Sequence, residues 1–154
     1  LPGIYSLSPY SMEEIIARDY IVHQRPDVVI NIVDATNIER NLYLTMQLRE
    51  MGIPMIIALN MMDVIAARKD KIDVEGLKKL LSVPIIPISA SKGMGTKEVI
   101  EKALEVAQNK SSHHEELKFF DGQIEKCLDE AEQLLAGFSH TMELNARWIS
   151  MKLL

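Results

Sequence analysis

Three short polar segments each follow an apolar run: Asp34-Ala35-Thr36 after Val28–Val33, Asn60-Met61-Met62-Asp63 after Met55–Leu59, and Ser89-Ala90-Ser91 after Val83–Ile88. Their residue types suit recognition of a planar heterocycle. A carboxylate such as Asp63 can accept two parallel hydrogen bonds from a ring N–H and a neighbouring exocyclic amine, the pair of donors that guanine presents. Adenine lacks that pair, and a desolvated Asp63 would be left unpaired against it. Asn60 can tie neighbouring loops together and touch the base edge. Ser89 can orient Asp63, and the backbone N–H of Ala90 can meet the guanine carbonyl. At the start of the chain, Leu1-Pro2-Gly3 suits close approach of backbone to a terminal phosphate, because Gly3 has no side chain to obstruct it. Asp34 and Thr36 read as structural caps.

The elements that must position these residues are legible as runs and ends. The three apolar runs are near-continuous rather than alternating, as strands buried on both faces of a parallel sheet require. Ser11 and Glu14 form an S-x-x-E capping box before Ile15, and Thr36 and Glu39 repeat the pattern before Leu42, with Gly52 and Pro54 as stop signals. Asp73 can cap a short helix carrying Leu77, Leu80 and Leu81, and Gly95 or Thr96 can start a helix carrying Val99 and Leu104. Strand and helix alternate over residues 11–108. This is an α/β, doubly wound, mostly parallel arrangement. After Asn109 the pattern changes to a polar break, then an amphipathic helix with Ile124, Cys127, Leu128, Ala131, Leu134 and Leu135 on its apolar face. Gly137 is expected to end it. A second helix carries Leu144, Trp148, Ile149 and Leu153. The expected division is an α/β domain over 1–110 and a small all-α extension over 111–154.

Composition narrows the function classes. The 154 residues carry 17 basic and 22 acidic side chains, a formal net charge of −5, with no basic stripe to neutralise nucleic-acid phosphates. A single cysteine, Cys127, cannot form an internal disulfide and is expected to be a small core residue. No apolar run approaches the ~18 residues needed to span a bilayer as a helix.

Taken in order, Leu1–Ser11, Asn31–Thr36, Asn60–Asp63 and Ser89–Ser91 resemble the translation-factor-like branch of P-loop GTPases. They resemble most closely the cytoplasmic G domain of the ferrous iron transport protein B family, and Arg147-Trp148 and Lys152-Leu153-Leu154 resemble that family's following helical domain. The resemblance implies that Asn60, Met61 and Asp63 read guanine, with Ser89, Ala90 and Ser91 completing the base pocket. It implies that Gly3 is the glycine of D-x-x-G, whose amide senses the γ-phosphate, and that Ile4–Ser11 form the second switch. GTP or GDP would be the ligand, with Mg2+ in the intact domain. The partner would be a membrane transporter domain of the same polypeptide, at the cytoplasmic face of the bacterial inner membrane. No nucleic acid is implied, and a homo-oligomer stays open. Met61 stands where many GTPases carry lysine. Ile4 stands where many carry a water-orienting glutamine, so hydrolysis is expected to be slow; no catalytic residue is assigned.

No G-x-x-x-x-G-K-[ST] occurs in the sequence, which opens without methionine. The expectation is a G domain represented from its second switch onward, unable alone to hold the phosphate-binding half of the site. Two other readings stay open: a soluble GTPase of the RNA-modification or ribosome-assembly kind, and a non-catalytic α/β interaction module. The bland reading of Asn60 and Asp63 is a turn, and that of Ser89–Gly95 a glycine-rich loop entering a helix. His113-His114-Glu115-Glu116 reads as solvated linker, since adjacent side chains do not share a helix face. Met46, Met51 and Met55 read as packing residues and Trp148 as an anchor between helices.

Overall fold

The computed structural model describes residues 3–8, 10–109, 120–142 and 145–153, with only the backbone described at 136–142. The order is α1 (Met12–Gln24), β1 (Val29–Asp34), α2 (Ile38–Glu50), β2 (Met55–Asn60), α3 (Met62–Arg68), α4 (Val74–Leu81), β3 (Ile85–Pro87), α5 (Thr96–Gln108), α6 (Gly122–Met142) and α7 (Ala146–Leu153). The strands form one parallel sheet in the order β1-β2-β3. Register runs from Val29↔Met55 to Asp34↔Asn60, and from Ile57↔Ile85 to Leu59↔Pro87. All three strands therefore end on the same side, with Asp34 and Asn60 side by side.

The near-continuous hydrophobicity of β2 follows from its central place. Met55, Ile57 and Leu59 face one core with Val33, Ala17 and Ile21 of α1, Leu48 of α2 and Leu81 of α4. Ile56 and Ala58 face the other core with Val99 and Ala103 of α5. Helices thus cover both faces of the sheet. Asn31 points into the first core, where its Nδ2 donates to Thr45 Oγ1 of α2 at 2.8 Å, so its burial leaves that amide satisfied. Pro87 can occupy β3 because this strand is an edge: the ladder is carried instead by Ile57 N–H to Pro84 O and Ile88 N–H to Leu59 O. On β1, Ile30 and Ile32 are exposed, and no strand flanks its outer edge among the described residues.

The helix starts divide instructively. Ser11 and Glu14 make both bonds of the expected capping box, Asp73 accepts from Gly76 N–H, and α5 starts at Thr96 after Gly95. The Thr36–Glu39 box does not form. Asp34 Oδ1 takes both the Thr36 N–H (2.8 Å) and the Thr36 hydroxyl (2.7 Å), folding Ala35–Asn37 into a 3-10 turn before α2 begins at Ile38. Asp34 is the cap that was expected. Thr36 is its partner.

Two expectations for the helical extension are corrected. Helix α6 continues through Gly137 to Met142, since one glycine costs a helix only ~1 kcal/mol. Among its described side chains the buried ones are Glu125 and Leu128, whereas Cys127, Ile124 and Leu134 are exposed. The face is set by charge: buried Arg147 of α7 donates to Glu125 Oε2 at 2.7 Å and Glu132 Oε1 at 3.2 Å. The polar break at 110–119, including the His113-His114 pair, lies outside the described residues, as does Leu144.

Helix α7 meets the α/β part at a cavity of about 400 Å³. Leu7 and Ser8, Arg18, Asp19 and Val22 of α1, Gln47 and Glu50 of α2, and Trp148 and Lys152 of α7 are among its walls. Burial, opposed by the charges of Lys152 and Arg147, raises the Glu50 carboxyl above the ordinary carboxylate range. The folded protein therefore holds this proton more tightly than the unfolded chain. Stability falls as pH rises through the folded value, and no penalty remains below the unfolded one. Glu50→Gln should accordingly raise Tm at about pH 7 and leave it nearly unchanged at about pH 4, in thermal melts across that range.

Candidate functional site

The carboxyl end of β2 turns sharply at Met61, which adopts a left-handed conformation (φ 67°) and is exposed. That turn starts α3 within one residue of the strand and places Asp63 in its first turn, beside the loop that follows β3. Met62 N–H donates to Ile88 O at 3.2 Å, fixing the two strand ends together. Asn60 Oδ1 accepts the Ala90 N–H at 3.0 Å. Asn60 thus ties the two loops, as its residue type allows, but the Ala90 amide is directed at Asn60 rather than left open toward a base.

Ser89 is buried, and its backbone exchanges two hydrogen bonds with Met94, each 3.1 Å, which closes Ser89–Met94 into a small ring of chain. Ser91 Oγ lies 3.5 Å from Ser89 Oγ. The Ser89 hydroxyl, then the Lys92 ammonium, hold the Asp63 carboxyl below the usual carboxylate range and keep it ionised. Lys92 Nζ sits 3.2 Å from Asp63 Oδ2. Asp63 Oδ1 is buried and has no hydrogen-bond partner. A buried carboxylate oxygen without a donor is costly unless something else supplies one. The Asp63 side chain as a whole is 21% exposed at the rim of the cluster, which is where a ligand N–H could meet the carboxylate.

Gly95, the residue after Met94, packs closely against the end of β3. Its φ is +75°, and a Cβ there would lie 2.6 Å from Pro87 O and 2.9 Å from Ile88 Cγ2. Backbone cannot yield as a flexible side chain can, so Gly95→Ala should destabilise the fold by about 2–4 kcal/mol through left-handed strain plus overlap. Denaturant unfolding measures this directly.

The structure brings Asn60, Asp63, Ser89, Ala90 and Ser91 together, with Met61 as the turn that makes the cluster. Gly3 stands apart: among the described residues no hydrogen bond or ion pair joins it to the cluster, and a Cβ at Gly3 would touch nothing. The segment after it is held down. Tyr5 lies beneath the Arg40 guanidinium at 3.8 Å, Ser6 Oγ donates to Glu14, and buried Leu7 donates its N–H to Gln47 Oε1 at 2.7 Å. Lys92 and Gly95 are site residues that sequence reasoning missed. The glycine pair Gly93 and Gly95 was a visible signal for the second, while the Lys92–Asp63 pairing depends on two loops meeting. Among the described residues no cluster of three His, Cys, Asp or Glu side chains could hold a metal ion.

Comparison with known proteins bears on the family and the fold. The sequence profile described as "Ferrous iron transport protein B" matches residues 1–103. The whole chain is 40% identical to part of an Fe(2+) transport protein A/Fe(2+) transporter FeoB fusion protein of Porphyromonas gingivalis, spanning 19% of that relative. A GDP-bound mutant of S. thermophilus NFeoB superposes with a TM-score of 0.88 at 42% identity, covering 99% of this chain and 58% of that one. The cytosolic domain of the T. maritima FeoB iron transporter, in a GDP form, gives 0.88 at 33% identity, covering 99% and 59%. The three parallel strands and flanking helices are those of these structures, the P-loop GTPase fold. The chain belongs to the ferrous iron transport protein B family.

Proposed function

We propose that this chain is the guanine-reading part of a GTP-binding, slowly hydrolysing switch domain of a bacterial ferrous iron transporter, at the cytoplasmic face of the membrane. The observation that carries the reading is the Asp63 carboxylate, held ionised by the Ser89 hydroxyl and Lys92 and partly exposed at the rim where the two loops meet. Guanine's ring N–H and exocyclic amine are the matching donors. Asn60 and Ala90 lock the two loops that flank the base, and Met61 and Ser91 shape its borders. Support also comes from relatives whose structures are described as GDP-bound.

The γ-phosphate would be sensed by Gly3, where the open space around the α-carbon leaves room for close backbone approach. Residues 4–11 would be the second switch. The phosphate cradle would come from chain outside this sequence, whose added strands would cover β1 and shelter Ile30 and Ile32. Mg2+ would be held together with the phosphate cradle, since among the described residues no three His, Cys, Asp or Glu side chains cluster to hold a metal ion. The α/β part would end near residue 110, and the α-helical extension would couple nucleotide state to iron passage through a membrane domain of the same polypeptide. The experiment is a competition titration of guanosine, xanthosine and adenosine diphosphates on the intact transporter's cytoplasmic part, unaltered and as Asp63→Asn. An unchanged base preference in the variant would overturn the reading.

A further inference from the structure

We propose that Arg40 is a positioning residue that pre-orders the second switch for the γ-phosphate, acting through the ring of Tyr5. The inference rests on the reading of Gly3 as the γ-phosphate sensor and of residues 4–11 as the second switch, and goes beyond it. Three consecutive residues of that segment are each tethered to a helix. Tyr5 lies beneath the Arg40 guanidinium at 3.8 Å, Ser6 Oγ donates to Glu14 of α1, and Leu7 N–H donates to Gln47 Oε1 at 2.7 Å. Glu14 is itself fixed, since its Oε2 takes the Ser11 N–H of the capping box. Arg40 and Gln47 stand two turns apart along one face of α2.

The two ends of this tether differ. Leu7 is buried in the core, which anchors the far end. At the near end Tyr5 is half exposed and Arg40 stands in solvent. Arg40 makes no ion pair among the described residues, and a guanidinium at this distance is attracted by the face of the ring. Two residues of chain span at most about 7 Å, so whatever fixes Tyr5 limits where the Gly3 amide can go. Nothing at Gly3 replaces the clasp, because a Cβ there would touch no neighbour. Without Arg40, residues 3–5 would move together on a segment held only from Ser6 onward. Ordering a segment in advance spares its ligand that cost. GTP calls on the Gly3 amide and gains from the pre-ordering; GDP has no γ-phosphate to do so. Arg40 thus bears on the choice between the two nucleotides.

Equilibrium titrations of GDP and a non-hydrolysable GTP analogue on the intact transporter's cytoplasmic part test this. Arg40→Ala should lower the preference for the triphosphate by about two- to fivefold, the range of an exposed cation–π contact, and leave GDP affinity unchanged. Arg40→Lys should recover most of the preference, because it keeps a cation over the ring. Adding Arg40→Ala to Tyr5→Ala should lower the preference no further than Tyr5→Ala alone. An unchanged or increased preference in Arg40→Ala, an equal weakening for both nucleotides, or additive losses in the double variant would overturn the positioning role. Gly3→Ala separates the two levels: if that variant keeps the preference of the unaltered protein, the sensor reading has failed, and the positioning role with it.

Discussion

Asp63→Asn should weaken GDP binding to the intact domain by about hundredfold or more and turn its preference toward xanthosine diphosphate. On the proposed reading the carboxylate would accept from two donors, and each charge-assisted bond in a desolvated pocket is worth about 1.5–3 kcal/mol. An asparagine keeps one acceptor and sets an N–H against guanine's amine, so one bond is lost and a donor faces a donor. Xanthine carries a carbonyl in place of that amine, which restores the match. The fold should be little affected, because the ion pair lost to Lys92 is half exposed and worth little. Equal melting temperatures with opposite base preferences would locate the effect in recognition. The lowered pKa of Asp63 adds a pH expectation of known sign: the carboxylate stays charged through the ordinary carboxylate range, so loss of guanine binding on acidification should begin below it.

The second large effect should be in stability. Arg147→Ala removes the cation shared by Glu125 and Glu132 and leaves Glu125, 6% exposed, buried beneath α7. Breaking a buried pair from one side costs about 3–5 kcal/mol, and here the Phe120 N–H that donates to Glu125 Oε1 at 3.1 Å remains, which places the loss toward the lower end. Burial by itself would favour the neutral guanidine, yet the two carboxylates outweigh it and hold Arg147 more firmly protonated than usual. Trp148, the single tryptophan, adjoins the substitution, so urea unfolding followed by its fluorescence reports the loss. Glu125→Leu with Arg147→Met should recover most of it by replacing the charges with packing. A fully unstable double variant would mean that the pair does more than neutralise itself.

How far the sequence alone reveals these features depends on the range of each interaction. The strands were legible because β2 is buried on both faces and its residues say so at every position. The Ser11 box was legible because both bonds close within four residues. Thr36 misled for a local reason: Asp34, two residues earlier, is a stronger acceptor and claims its amide first. The buried face of α6 was misjudged because periodicity counts apolar residues, whereas Glu125 earns burial from a cation 22 positions away. The same limit hid Lys92, whose partner belongs to another loop. The cluster of Asn60, Asp63 and Ser89–Ser91 was legible as a set because strand ends in a parallel sheet meet at one rim. The direction of the Ala90 amide was not, since it is fixed by a side chain 30 residues distant.

Pro87 gives the sheet a direction of growth. On the β3 side the backbone lacks a donor at Pro87, and an incoming strand would find an interrupted ladder. On the β1 side six residues of strand carry unhindered backbone, with Ile30 and Ile32 beside it. Among the described residues the two margins of the sheet are therefore unlike, and a strand that extends the sheet, such as those proposed to lie outside this sequence, finds its continuous row of backbone donors and acceptors beside β1.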